Sequence, residues 1–298
     1  MRFAQVKTAL ARTYDDVQRK HTMQMAAGLS YYFVMSLFPL LIVFAAIVAY
    51  LPVPNLFDQA LSLMSRFVPS DSMGLVRGVL RDVITPYRGH FLSLGILGTI
   101  WAASGGFSSM MEALNVAYDV EENRPFWHTR PLAIGLAFLI GGLLILALAL
   151  MLVGPNFGEW LAGRVGLGAL FTAIWPYLRW SIAVAFTVLA IELIYYLAPN
   201  VKQRFGRTLP GALIAVGFWI LLSWALGLYF QRFASLNKTY GTLAAAIALM
   251  VWLYWTAFAI LLGGEVNADL LHVQGKRIPV KETDSAKDET TPPLQRAA

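Results

Sequence analysis

The chain has 298 residues, 58% of them hydrophobic and 13% charged, against roughly 45–50% apolar and about 25% charged in an ordinary soluble domain. Charges at half the usual density cannot cover the cores that so many apolar side chains would need, so most soluble folds are excluded and lipid is the expected solvent. Cysteine is absent, which excludes a disulfide framework, a thiolate metal site and a cysteine nucleophile. The formal net charge is +6, and in such a chain its distribution matters more than its sign.

In chain order, the first element is an amphipathic helix within residues 1–28. Phe3, Val6, Leu10, Tyr14 and Val17 recur at spacings of three and four among basic residues, placing the helix where anionic headgroups would attract it. Residues 29–271 then read as an all-α, six-span transmembrane bundle. A helix rising about 1.5 Å per residue needs about 20 apolar residues to cross the hydrocarbon core. Leu29–Tyr50, Phe91–Met111, Leu132–Val153, Tyr177–Ala198, Leu209–Phe230 and Leu243–Gly264 all meet that length. The first is too long for a signal-peptide core and follows a mostly polar stretch, so it is expected to be retained.

Two connections are long. Leu51–His90 is too charged to cross and predicts two short amphipathic surface helices, carried by Phe57, Leu61, Met64, Phe67 and Val68 and by Leu75 to Ile84. Gly154–Pro176 reads as a shorter surface segment whose Trp160, Phe171 and Trp175 suit the interfacial aromatic belt. Residues 272–298 are rich in charge, threonine and proline, and predict a disordered tail.

Alternating the loops across the bilayer puts fifteen lysines and arginines on the side of the two termini and seven on the other. The excess marks the cytoplasmic face, so both termini are expected inside the cell.

An ionisable group in hydrocarbon costs at least ~2.5–3.5 kcal/mol, which makes each one a candidate. Arg179 lies near one end of the fourth span, from which it can snorkel to headgroups. Glu192 lies about two turns from the cytoplasmic end and needs either a partner or a water-filled pocket. Glu112, Asn115, Arg124, Glu265 and Asn267 gather at the same depth. With Glu192 they could form a polar vestibule able to bind a cation, relay a proton or tie helix ends together. Substituting Glu192 or Glu265 by glutamine is expected to reduce flux through such a site.

Pro39, three residues after Ser36, removes a backbone hydrogen bond in mid-span, so the Ser36–Pro39 stretch is either a hinge or a fixed bend. Small residues from Ala102 to Ser109, with Gly141, Gly142, Gly211 and Gly217, offer faces for close helix packing or for a substrate path.

The run Ala26-Ala27-Gly28-Leu29-Ser30-Tyr31-Tyr32, leading to Ser36-Leu37-Phe38-Pro39-Leu40-Leu41, resembles the opening motif of the YihY/BrkB family of bacterial inner-membrane proteins. Leu114-Asn115-Val116-Ala117-Tyr118 with Arg124-Pro125-Phe126-Trp127 resembles the motif after its second span. Tyr240-Gly241-Thr242-Leu243, Leu253-Tyr254-Trp255 and Gly263-Gly264-Glu265-Val266-Asn267-Ala268 resemble its sixth-span motif. The likeness runs from about Lys20 to Leu271. It implies six spans, cytoplasmic termini and residence in the inner (plasma) membrane. Members have been called ribonuclease BN, virulence factors, transporters and participants in envelope lipid export; no catalytic residues carry over.

A ribonuclease would need a metal-binding cluster or an acid–base pair. His21, His90, His128 and His272 sit on four separate segments, and the basic residues are already accounted for by topology. The expectation is a non-enzymatic membrane protein without cofactor or nucleic-acid partner. It is read as a transporter or a translocator of lipid or envelope components, with membrane lipids as partners and a lipid or small solute as substrate. The alternative is a non-transporting scaffold in envelope biogenesis.

Overall fold

The computed structural model describes residues 3–50, 91–165, 169–233 and 242–273, with short stretches between 61 and 78. These residues are helical almost throughout: α1 (Phe3–Arg19), α2 (Thr22–Tyr50), α3 (Phe91–Ala117), α4 (Phe126–Val165), α5 (Ala169–Leu197), α6 (Leu209–Phe233) and α7 (Thr242–Val273). The surface helices expected in Leu51–His90 lie almost wholly outside the described residues, and the tail after Gln274 lies entirely outside them.

Among the described residues, four segments are long and apolar enough to cross a membrane: Phe126–Met151, Ala173–Leu197, Leu209–Phe230 and Ala246–Val273. The other two expected spans fall in α2 and α3, where many side chains lie outside the described residues. The most apolar window of α7 has half its residues buried, against 17–22% in the other three. That makes α7 the central helix, touching α1, α2, α3 and α6. Lipid tails are as apolar as leucine, so close packing rather than water exclusion holds such helices together. At the α6–α7 crossing the two backbones meet: a Cβ on Gly263 would lie 2.5 Å from the Gly211 carbonyl oxygen, and one on Gly211 would collide with the Gly263 carbonyl.

Of the other glycines read as packing surfaces, Gly106 does face α2, where a Cβ would sit 3.4 Å from Ser36 Oγ. Gly105, Gly141, Gly142 and Gly217 would meet nothing within 4 Å. At these four the expected close approach is not found.

The stretch after Gly154 is not a separate surface segment; it prolongs α4 to Val165. Pro155 removes the N–H that would have bonded the Met151 carbonyl. Arg179 Nη1, on α5, lies 3.5 Å from that carbonyl oxygen. Trp175 donates its indole N–H to Gly154 O at 2.6 Å. Arg179 thus reaches from α5 to α4. Pro39 leaves α2 helical from Thr22 to Tyr50, and Ser36 donates to Phe33 O at 3.1 Å, one turn back.

Two left-handed residues shape one end of the bundle. His21, at φ 55°, breaks α1 from α2, and Asp119, at φ 53°, follows the end of α3. Val120 N–H bonds Asn115 O and Asp119 N–H bonds Val116 O, the pattern of a helix stop that usually employs glycine. A short acidic side chain tolerates this backbone, and here the carboxylate has a partner across the fold.

Candidate functional site

At the end of the bundle that carries α1, the helix ends are stitched together by side chains. Lys20, its side chain 5% exposed, is the hub. Its Nζ donates to Ala117 O at 2.6 Å and to Glu265 Oε2 at 3.0 Å, and lies 3.0 Å from Asp119 Oδ2. Capping the carbonyl end of α3 with a cation satisfies an orphan acceptor and suits the helix dipole. Thr22 donates to Glu265 Oε1 at 3.3 Å. One turn on, Asp269 accepts from Thr13 at 2.8 Å and pairs with Arg12 Nε at 3.1 Å. Arg19 holds Asp16 at 2.9 Å.

These contacts give α1, which the sequence reads as an amphipathic helix beside headgroups, a second face that packs on the bundle. Tyr14, from that stripe, is 71% exposed, while Thr13, Asp16 and Val17 are buried. Ion pairs to α7 turn this face inward.

A second set of contacts joins the end of α3 to the α5–α6 connection. Asn115 Oδ1 accepts from Asn200 N–H at 2.7 Å, and its Nδ2 donates to Glu122 at 2.8 Å. Arg124 clamps both Glu122 oxygens at 2.7 and 2.6 Å and caps α5 through Ala198 O at 2.8 Å. Burial pushes the Glu122 carboxyl up, but the Arg124 hydrogen bonds and charge, with Asn115, outweigh it and leave the group below its ordinary value. Burial raises the Tyr118 phenol beside this cluster.

Asn267 caps a helix that is not its own. Its Oδ1 accepts from Gly211 N–H at 2.9 Å and its Nδ2 donates to Thr208 O at 2.9 Å. These groups flank the start of α6, where the first N–H groups lack intrahelical partners and Pro210 has none to offer.

Glu192 stands apart. It is 2% exposed, and its Oε1 accepts from the N–H of Gly206 at 2.8 Å. The turn that presents this donor needs φ +86° at Gly206, which glycine adopts without steric cost. Its Oε2 is buried and has no hydrogen-bond partner among the described residues. The residue lines a cavity of about 430 Å³ between α5 and α6, walled by Val184, Ala185, Val188, Leu189, Leu209 and Leu213. Val184, Phe205, Leu209 and Leu213 on its rim are exposed, so the groove opens to the side of the bundle.

The vestibule residues make their hydrogen bonds and ion pairs in different clusters. Asn115 and Arg124 sit in one cluster, Glu265 in the Lys20 cluster and Asn267 at the start of α6, while only Glu192 lines the groove. Glu112 is exposed on α3, with no ion pair or hydrogen bond among the described residues. Sequence reasoning missed Lys20, Asp16, Thr13, Asp119 and Asp269. A signal was present in Thr13, Asp16, Val17 and Lys20 at spacings of three and four, facing Glu265 and Asp269 four apart.

The sequence profile of the family described as Virulence factor BrkB matches residues 13–288. The ribonuclease-like protein YfkH of Bacillus subtilis (strain 168) is 35% identical over 254 residues, covering 85% of this chain and 91% of its own. The UPF0761 membrane protein Smlt0865 of Stenotrophomonas maltophilia (strain K279a) is 27% identical over 256 residues, 83% of this chain and 57% of its own. UPF0761 membrane protein XOO3417 of Xanthomonas oryzae pv. oryzae is 26% identical over 257 residues with the same coverage. The chain spans 57% of the length of these UPF0761 relatives. No solved structure matches. Helical almost throughout its described residues, with four apolar span-length helices among them, and matched over most of its length by this profile, the chain belongs to the BrkB family and is a membrane protein of that family.

Proposed function

We infer that the protein crosses the bacterial inner membrane six times with both termini in the cytoplasm, and that it transports or translocates a lipid or another envelope component. The positive charges support the orientation, because they concentrate on the side of the termini. The observation that carries the transport reading is the lateral groove between α5 and α6, apolar along most of its walls and lined also by the buried Glu192. A groove open to the side of a bundle can admit an amphiphile from the bilayer, and a buried polar group in its lining can fix the head.

The test is flux in reconstituted vesicles. Glu192→Gln should lower the movement of labelled lipid or solute while insertion and oligomeric state stay as in the wild type. Unchanged flux removes Glu192 from the path. A scaffold reading is favoured by one feature, the stitched α1 end, where paired acids lock helix ends instead of facing an opening. Vesicles that show no flux for any lipid class, with the protein folded, would favour it. Nuclease activity forms no part of this reading: the ribonuclease-like name belongs to the Bacillus subtilis relative, and the four histidines of this chain lie on separate segments.

A further inference from the structure

Four carboxylates are buried among the described residues: Asp16, Glu192, Glu265 and Asp269. Asp16 has Arg12, Arg19 and Lys20 within 4 Å, Glu265 has Lys20, and Asp269 has Arg12. Glu192 has no lysine, arginine or histidine at that range among the described residues. Among the described residues its hydrogen-bond partner is a backbone N–H, and Oε2 has none. A buried charge without a counter-charge is costly unless something supplies one.

We propose that the groove between α5 and α6 binds a phospholipid bearing a primary ammonium headgroup, with the ammonium on Glu192 Oε2 and an acyl chain along Val184, Val188, Leu189 and Leu213. The proposal deepens the transport reading by naming a ligand class, and it rests on that reading for its membrane setting. Three observations converge on this occupant. The open carboxylate oxygen asks for a cationic hydrogen-bond donor, and an ammonium offers three N–H groups where a quaternary amine offers none. The walls are apolar and the rim residues exposed, which suits a ligand already dissolved in the bilayer. Arg204 and Arg207 are exposed on either side of Gly206, so the same turn can meet the phosphate that accompanies the ammonium in such a lipid. The cavity of about 430 Å³ falls within the usual roughly 300–1,000 Å³ of small-molecule sites.

The experiment is native mass spectrometry of the full-length protein in detergent, titrated with phosphatidylethanolamine, phosphatidylcholine and phosphatidylglycerol of the same acyl chains. Phosphatidylethanolamine should bind the wild type about tenfold more tightly than the other two, because charge-assisted hydrogen bonds to one headgroup are gained or lost. This comparison needs no variant to fold. Glu192→Gln should remove the preference, and Leu213→Trp, which fills the groove without touching the carboxylate, should weaken all three lipids. Equal binding of the three headgroups by the wild type, a preference for phosphatidylglycerol, or phosphatidylethanolamine binding unchanged in Leu213→Trp would each overturn the proposal. So would free phosphoethanolamine binding as tightly as the lipid, or a dimer that Leu213→Trp dissociates. Selective binding without flux leaves this proposal standing and removes the transport reading; flux without headgroup selectivity does the reverse.

Discussion

Glu265 and Glu192 are both glutamates buried in apolar helices, yet their surroundings are opposite. Glu265 accepts from Lys20 and Thr22 in a cluster that also caps α3. Glu192 accepts one backbone N–H and borders an open groove. Burial alone marks both as exceptional; the neighbours decide what each does. A carboxylate whose oxygens are all matched by the protein holds helices in place. One with an unmatched oxygen beside a cavity is available to something else.

The comparison breaks most visibly at Lys20. Lys20→Met should destabilise the detergent-solubilised protein by about 3–5 kcal/mol, because it leaves Glu265 buried without its cation and Ala117 O without its cap. The double variant Lys20→Met/Glu265→Gln should recover part of that loss, which thermal or denaturant midpoints would resolve. A double variant as unstable as the sum of its singles would mean that the two groups are not coupled. Next in size is Gly263→Ala, expected to cost about 1–3 kcal/mol because its methyl meets the Gly211 carbonyl and α6 must move away from α7. Gly217→Ala, with open space at the same test position, should be neutral or gain up to about 1 kcal/mol from helix propensity.

Glu192→Gln sharpens the contrast from the other side. Removing a buried charge that has no cation should change stability by less than about 1 kcal/mol, since an amide oxygen still accepts from Gly206 N–H. A loss comparable with that of Lys20→Met would show that Glu192 is structural after all.

Much of the bundle could be read from hydropathy, because a length of about 20 apolar residues is a strong constraint in lipid. Glu192 and Glu265 also stood out, as acids within or at the edge of apolar runs. Their division into different environments could not be read, because it depends on partners far away in the chain: Lys20 and Glu265 are separated by 245 residues. The amphipathic pattern of α1 was incomplete for a related reason. Its apolar stripe was visible, but the polar contacts of Thr13, Arg12 and Lys20 with Asp269 and Glu265 on α7 were not. Asn267 was noticed as one of a polar group, whereas its work as a cap depends on α6 beginning beside it. The groove is lined by residues of α5, α6 and the turn at Gly206 together, and no local pattern encodes how these come to face one another.

The weakest test concerns the acid at the exposed margin of the stitched end. Arg124 and Asn115 hold the Glu122 carboxyl below its ordinary value of 4.5 despite its partial burial. A carboxyl lowered in the folded state favours folding while it is ionised in both states, above about pH 4.5. That contribution falls away as the pH drops through the lowered folded value. The difference in melting temperature between wild type and Glu122→Gln should therefore be constant near neutrality and shrink below about pH 4.5. Solvent reaches the pair, so the whole effect should stay under about 1 kcal/mol. Taking the difference cancels the contributions of the other acids, which both proteins share. A difference that grew on acidification would mean that Glu122 is raised rather than lowered, and that Arg124 serves the Ala198 carbonyl alone.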